Sequence, residues 1–179
     1  MGVGPSSRLA DPAVDDLARM MKSATSEDVS VRCASALSRI GQGGLQPLAA
    51  VLGDSENAPR LRCVAASCIG IMGTNAVAAV PVLVRCLKDC DPGLDITVVT
   101  ALGDLGLEPD VVVPELSSGL EVPSIRIGSA CALGNFGILA RPAIPALLRV
   151  LNDPDPHMRL VVTNALRKIA PEVLERGRQ

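Results

Sequence analysis

One short motif returns five times along the sequence at an almost constant spacing. Each copy reads small residue, apolar residue, two variable residues, apolar residue and a final small residue, which is glycine in four copies. Successive copies start 32, 33, 31 and 33 positions apart. The copies are Ala36–Gly41, Cys68–Gly73, Ala101–Gly106, Ala132–Gly137 and Ala165–Ala170. A period of this length is typical of stacked supersecondary units, so the chain is predicted to form a repeat array instead of one globular core.

A second ladder of apolar residues predicts a first helix in every repeat. Its members lie at i, i+3 and i+7, which is one stripe of an α-helix. The ladder starts at Val14, Leu45, Val80, Val113 and Ile144. Proline follows the starting residue directly at Pro81, Pro114 and Pro145, and one residue later at Pro47. Because proline is tolerated where helical N–H groups lack partners, these prolines are predicted to mark first helical turns.

The five-fold motif closes a second helix in each repeat, and we number this helix from the small residue as position 0. Positions −7, −3, +1 and +4 form one apolar face at 100° per residue. Positions −5 and −2 are apolar as well, so the helix is predicted to be apolar around most of its circumference, as a helix in the middle of a stack requires. Gly70, Gly103 and Gly134 at position +2 are predicted to let neighbouring helices approach closely.

These patterns predict an all-α fold, a right-handed α-solenoid of about five two-helix repeats. The predicted boundaries are an N-terminal tail at 1–10, repeats at 11–42, 43–75, 76–108, 109–139 and 140–172, and a short C-terminal tail. The composition agrees, because 48% of the residues are hydrophobic but Phe136 is the one aromatic. Thin helical layers do not need aromatic rings to fill volume.

Composition also limits location and partners. The sequence contains no uninterrupted apolar run of membrane-spanning length and no signal-peptide pattern at its start, so it predicts a cytoplasmic protein without membrane insertion. Residues 43–140 carry five basic and ten acidic groups, which argues against a nucleic-acid groove. Cys33, Cys63 and Cys68 fall on apolar positions, where reduced thiols act as small hydrophobes and indicate a reducing compartment.

The repeat resembles the HEAT repeat, and most of all the short bacterial and cyanobacterial variant named after phycobilisome lyases. The resemblance covers about residues 11–171 and is strongest in the last copy, at 143–148, 152–155, 158–159 and 165–166. It implies a ladder of polar contacts between repeats, made by an acid in the turn and an arginine early in the second helix. The matching residues are Arg62, Arg126 and Arg159 for the arginine, Asp153 for the acid, and more roughly Asp54 and Asp89. Ser30 and Asp95 depart from the arginine position, so the ladder is expected to break in repeats one and three.

Catalytic and metal-binding motifs were sought, and no cofactor is predicted. His157, the one histidine, is interpreted as an exposed turn residue, and neither Cys86 with Cys90 nor Cys63 with Cys68 has zinc-site spacing. The acids of Asp89–Asp91 and Asp153–Asp155 are interpreted as helix caps. The glycine-rich segment Gly41–Gly44 is interpreted as a break between repeats, since no strand precedes it and no lysine follows.

The remaining face of the second helix is the predicted binding groove. Positions −4, −1 and +3 share one side, and the second helices of such superhelices line a concave surface. The candidate residues are Arg39, Val64, Ser67, Ile71, Thr100, Asp104, Cys131, Asn135, Asn164 and Lys168. Their low net charge and small side chains favour a peptide or a helix as the partner.

Three functions stay open at this point. The first is a non-catalytic scaffold that binds a protein or peptide along the concave surface. The second, implied by the resemblance, is a subunit of a phycobilin lyase or isomerase, although aromatic, histidine and arginine groups for a bilin are scarce. The third is a structural segment of a larger protein that self-associates through an apolar end formed by Leu166, Ile169 and Val173.

Overall fold

The computed structural model describes residues 11–88 and 93–176, and within these ranges all regular structure is helical. The helices are α1 (Pro12–Ser23), α2 (Glu27–Ile40), α3 (Gln42–Gly53), α4 (Pro59–Gly70), α5 (Val80–Lys88), α6 (Leu94–Leu105), α7 (Pro109–Gly119), α8 (Arg126–Phe136), α9 (Ile144–Arg149), α10 (Pro156–Ile169) and α11 (Pro171–Arg176). Two 3₁₀ segments, Gly73–Ala79 and Gly137–Ala143, lead directly into α5 and α9.

The helices form two layers. Each odd-numbered helix from α1 to α9 packs against the even-numbered helix that follows it, and α2, α4, α6, α8 and α10 pack on one another in series. In the other layer α1 contacts α3, α3 contacts α5, and α7 contacts α9. This serial packing is an α-solenoid, so the predicted fold class is confirmed.

The core runs along the seam between the two layers. Leucines of the odd helices, such as Leu48 and Leu116, meet leucines of the even helices, such as Leu37 and Leu133, and all four are fully buried. Burying one such side chain contributes about 1.5–3 kcal/mol, and every repeat supplies several. The single aromatic, Phe136, is also buried, at 5% exposure.

Glycines set the distance between successive even helices, as the sequence predicted. A Cβ added at Gly103 would lie 2.7 Å from Ala132 Cβ and 2.8 Å from its Cα. A Cβ at Gly70 would lie 3.0 Å from Ala101 Cα. The glycine at position +2 of one repeat therefore packs directly on the small residue at position 0 of the next.

The prediction that proline marks the first helical turn is correct for two repeats and wrong for two. Pro81 and Pro145 lie at the second residue of α5 and α9, but Pro47 and Pro114 lie inside α3 and α7. Helical residues precede the proline in every case. They form the 3₁₀ segments before α5 and α9 and the first part of the α-helix in α3 and α7. A residue with positive φ precedes or opens each of these stretches, at Gly41, Gly73, Glu108 and Gly137.

The last repeat does not expose the apolar end that the sequence predicted. Leu166 is fully buried and Ile169 is 2% exposed, because both pack into the core beneath α11. Val173, on α11 itself, is half-buried against the same core. The side chains that were expected to drive self-association are thus occupied within the chain.

Among the described residues, one helical stretch, Arg126–Arg149, is long and apolar enough to cross a membrane by length and composition. Its most apolar window is 44% buried in the fold, and its path turns at Gly137, where φ is 54°. A core helix passes the same test, so this single stretch is weak evidence for a membrane span.

Candidate functional site

The even-numbered helices keep one face free of both layers, and three rows of side chains cross it from helix to helix. The first row combines positions −5 and −4, the second is position −1 and the third is position +3. Neighbouring rows lie about 6 Å apart along each helix, at a rise of about 1.5 Å per residue. The apolar row is Val31, Cys63, Val64, Ile96, Ile127, Leu160 and Val161, and position −4 is completed by Arg32, Thr97 and Gly128. The small row is Ser35, Ser67, Thr100, Cys131 and Asn164. The mixed row is Arg39, Ile71, Asp104, Asn135 and Lys168.

The candidate groove residues lie together on this face. Nine of the ten are exposed, and Val64 is half-buried. Ile71, at the end of α4, is 73% exposed, the largest value among the exposed large hydrophobic residues of the described chain. The structure thus places these residues on one continuous surface, while their role in binding stays a prediction.

The exposure of the apolar row corrects one sequence interpretation. Position −5 was expected to be packed within the stack, but Val31, Ile96 and Leu160 are 39%, 50% and 57% exposed. Position −2, by contrast, is buried in the first four repeats, at Ala34, Ala66, Val99 and Ala130. Helix geometry explains the difference, since position −5 lies only 40° around the axis from position −1, which belongs to the free face. That angle was available from the sequence and would have identified the apolar row.

Two cavities open onto the free face. One has a volume of about 450 Å³ between α8 and α10, and its lining includes Cys131, Asn135, Asn164 and Lys168. The other, of about 430 Å³, lies between α2 and α4, and its lining includes Val31, Val64 and Ser67. Each cavity joins an apolar wall to small polar side chains, which is the composition typical of binding pockets.

The polar groups of the small row are largely satisfied within the protein. Thr100 Oγ1 donates to Ile96 O at 3.0 Å, and Asn164 Oδ1 accepts from Arg167 Nη1 at 2.9 Å. Cys131 is the one exposed cysteine among the described residues. Burial raises the pKa of the Cys68 thiol, an effect that a hydrogen bond with Ser35 partly opposes. The small row therefore presents an uncharged surface of small side chains.

The charged members of the mixed row have no ion-pair partner among the described residues. Arg39, Asp104 and Lys168 are all exposed, and none of them takes part in a salt bridge there. The N-terminal ends of the first two even helices differ, because Arg32 pairs with Asp28 at 2.9 Å and Arg60 pairs with Glu27 at 2.7 Å. Charge on the mixed row is thus available to a partner.

No catalytic arrangement accompanies this surface in the described part of the chain. No group of three or more His, Cys, Asp or Glu side chains there could hold a metal ion. His157 was expected in a turn, but it is the second residue of α10, where it is exposed and its backbone N–H donates to the carboxylate of the N-cap residue Asp155 at 2.9 Å. The glycine-rich segment was interpreted as a break between repeats, but only Gly41 separates α2 from α3, and the residues 42–44 form the first turn of α3. The cluster at 89–91, with Cys90, lies outside the described residues.

Two stretches of the chain match known repeat families. Residues 143–173 match the HEAT repeat, and residues 125–153 match the PBS lyase HEAT-like repeat. These stretches are HEAT repeats. For these residues the matches agree with the family that the sequence suggested. A comparison with the curated proteins finds no significant match.

Solved structures with a similar path of the chain include one of a phycocyanin lyase complex. The complex of CpcE and CpcF of phycocyanin lyase from Nostoc sp. PCC7120 superposes with a TM-score of 0.71, over 97% of this chain and 71% of that chain, at 19% identity. An engineered protein from the Northeast Structural Genomics Consortium superposes with a TM-score of 0.59, over 89% of this chain and 48% of that chain, also at 19% identity. At this identity the likeness shows the fold alone.

The polar ladder implied by the HEAT resemblance is realised in different ways along the stack. Arg126 of α8 forms an ion pair with Asp153 in the turn before α10, which joins two repeats. Arg62 is 2% exposed, donates from Nε to Leu52 O at 2.9 Å within its own repeat, and contacts Cys86 Sγ of the next at 3.6 Å. Arg159 donates to Asp153 O at 2.8 Å and therefore holds its own turn.

The two departures from the HEAT arginine position have substitute contacts. Ser30 Oγ donates to Met21 O at 3.1 Å, so it secures the end of α1 much as Arg62 secures the end of α3. Asp95 accepts from Ser124 Oγ at 2.7 Å and thereby links the third repeat to the fourth. The ladder was expected to break in the third repeat, but a polar contact is present there, with an acid in the place of the arginine. Asp54 instead accepts from Glu56 N at 3.1 Å, and Asp89 lies outside the described residues.

Proposed function

We propose that this chain is a non-catalytic scaffold that binds a protein segment along the free face of its even helices. The observation that supports the proposal best is the apolar row, which is exposed at Val31, Ile96 and Leu160 and half-buried in the second and fourth repeats, and which runs beside the small and mixed rows. Exposed apolar side chains that form a continuous surface are typical of interaction sites. The stacked repeats hold this surface on rigid helices, and solenoids commonly use such extended surfaces for recognition.

The fold comparison adds general support for a protein partner. The similar lyase structure is a complex of two proteins, CpcE and CpcF. The partner of this chain, and its location in the cytoplasm, stand as parts of the proposal. The predicted repeat boundaries and the ten groove residues stand with them.

The test is capture of partners from a lysate by the wild-type chain and by two variants. The groove variant carries Ser67→Arg, Thr100→Arg and Cys131→Arg, which place three long cations on the small row. The control carries Gln46→Arg, Val111→Arg and Ser118→Arg at exposed positions of the odd helices. We expect a partner held by wild type and control to be lost from the groove variant, with all three proteins equally folded by circular dichroism. Equal capture by all three would move the site off this face.

A second candidate function is a role like that of a phycobilin lyase subunit. Two observations favour it, namely the match of residues 125–153 to the PBS lyase repeat and the fold likeness to the CpcE–CpcF complex. The cavity between α8 and α10, with Arg167 and Lys168 in its wall, offers cations for the propionates of a bilin. Mixing the protein with phycocyanobilin tests this candidate, because a bound bilin changes its absorbance. An unchanged spectrum at high protein concentration counts against it.

A further inference from the structure

We infer that the partner segment is a single amphipathic α-helix that carries an acidic, a basic and an acidic residue about 11 positions apart. This inference rests on the proposed function, because it names the chemistry of the segment that the free face binds. It follows from three features of the rows: their width, their polar groups and their charges.

The width of the free face fits a helix. The apolar and mixed rows lie eight residues apart on each even helix, or about 12 Å along its axis, and the small row lies between them. Small side chains flanked by larger ones form a shallow trough that runs across the helices. An α-helix with side chains is about 10–12 Å wide and fills such a trough. An extended strand, at about 5 Å, would cover only one row.

The polar groups of the trough also favour a helix. An extended peptide presents backbone N–H and C=O groups that need partners when they are buried. The exposed part of the small row supplies few, namely the Ser67 hydroxyl and the Asn164 amide N–H groups, since Thr100 Oγ1 donates to Ile96 O and Asn164 Oδ1 accepts from Arg167. A helix satisfies its own backbone internally and requires only side-chain contacts from the surface.

The charges of the mixed row set the chemistry of the occupant. Arg39, Ile71, Asp104, Asn135 and Lys168 give the order positive, apolar, negative, neutral, positive from the first repeat to the fifth. The charged residues are exposed and have no salt bridge among the described residues, so a partner can pair with them without breaking an existing contact. The complementary segment is acidic opposite Arg39, basic opposite Asp104 and acidic opposite Lys168.

The spacing of the repeats converts this order into a sequence pattern. Neighbouring helices lie about 8–10 Å apart, so each pair of successive charges is separated by about 16–20 Å. That distance corresponds to about 11–13 helical residues, and 11 residues return to the same face within about 20°. The whole trough accommodates about 21–27 residues of helix. The partner's apolar stripe lies beside its charged stripe, against Ile96 and Leu160 of the apolar row.

The experiment uses three synthetic peptides of about 27 residues. The matched peptide is an amphipathic helix with Glu, Lys and Glu about 11 residues apart. Its twin has Lys, Glu and Lys at the same places. A third peptide is the matched sequence with two central prolines, which prevent the helix. Binding is measured by fluorescence anisotropy at low and high salt, together with the rate of alkylation of Cys131 by iodoacetamide.

The matched peptide should bind wild-type protein at least about tenfold more tightly than its twin, because three exposed pairs turn from attraction to repulsion. High salt should narrow the difference. The combined variant Arg39→Glu, Asp104→Lys and Lys168→Glu, all at exposed positions, should reverse the preference. The proline peptide should bind weakly.

Equal binding of the matched peptide and its twin, with Cys131 shielded by both, would overturn the charge pattern while leaving the proposed function standing. Undiminished binding of the proline peptide would overturn the helix. If neither helical peptide binds, the inference is overturned. The proposed function would still stand in that case if wild-type protein captures partners that the groove variant does not. Self-association that buries Cys131 without peptide would make a second copy of this chain the occupant and also overturn it.

Discussion

At the scale of single residues, the stack is governed by side chains of one carbon or none. Gly70, Gly103 and Gly134 each face a small residue of the next repeat, at distances that leave no room for a methyl group or only just admit one. Ser129 Oγ, which lies close to Gly119 of α7, is buried without a hydrogen-bond partner. Both features give predictions in which changing a few atoms has a measurable effect.

Gly103→Ala should destabilise the protein although alanine is the better helix former. The new Cβ would lie 2.7 Å from Ala132 Cβ, and relieving that contact costs about 1–3 kcal/mol, against a gain of about 1 kcal/mol in helix propensity. Gly134→Ala is the matched control, since its Cβ would lie 3.2 Å from Ala165 Cα, and it should be close to neutral. Urea unfolding measures both, and an equal gain in stability for the two variants would refute this account of the spacing.

Ser129→Ala should stabilise the protein by about 1 kcal/mol. Ser129 is fully buried and its hydroxyl has no partner, whereas the equivalent residues Cys33, Ala65, Val98 and Val162 are apolar. The contrasting variant is Ser30→Ala, which removes a buried hydroxyl that does bind, to Met21 O, and should lower stability by a similar amount. A loss of stability on Ser129→Ala would mean that the hydroxyl is satisfied in solution.

The buried thiols should react slowly and Cys131 quickly. Cys33, Cys68 and Cys86 are buried and Cys131 is exposed, so iodoacetamide followed by peptide mass spectrometry should label Cys131 first. Because burial raises the pKa of Cys68, the folded state holds this proton to higher pH than the unfolded chain does. Its contribution to stability is therefore complete below the ordinary thiol pKa and is lost as pH rises through the folded value. A Cys68→Ala variant with the same loss of stability at alkaline pH would contradict this assignment.

At the scale of helices, the sequence determined the order and phase of the repeats but missed how several helices begin and which faces are free. The motif that starts at Ala101 marked the end of α6 because small residues and leucines recur only where helices pack. The start of α7 could not be read from Pro114, since the positive-φ residue Glu108, at φ 50°, begins the helix a turn earlier. Exposure at Ile96 was missed because an apolar residue was expected to be buried, although its angle of about 40° from position −1 places it beside the free face.

Contacts between elements give a prediction about the ion pair of Arg126 and Asp153. The carboxylate side chain is 10% exposed and the guanidinium 30%, so Asp153→Ala leaves a partly buried cation unpaired and should cost about 1–3 kcal/mol. The control pair, Arg149 with Glu121, is more than 60% exposed on both sides at 3.6 Å. Glu121→Ala should change stability by less than about 0.5 kcal/mol. Similar effects of the two variants on thermal unfolding would show that the inter-repeat pair adds nothing.

At the scale of the whole molecule, the proposed function depends on rows that no single repeat can form. One even helix offers an apolar, a small and a mixed position, and only five in series make a surface long enough for a partner segment. The common face of the ten candidate residues could be predicted from the sequence because repeat phase alone aligns equivalent positions, while their role in binding stays a prediction. The identity of the partner could not be predicted, because a surface of small and aliphatic side chains limits the shape and charge of a partner without selecting a particular chemical group.

Protection of Cys131 is the measurement that tests the proposed binding surface most directly. The partner captured by the wild-type chain is added back, and alkylation is followed at Cys131 and, in a second protein, at an introduced Ser118→Cys on the exposed side of α7. The account predicts that the partner slows labelling of Cys131 at least about tenfold and leaves the introduced cysteine unchanged, since only the free face of the even helices is covered. Unchanged labelling of Cys131 in the saturated complex would contradict it.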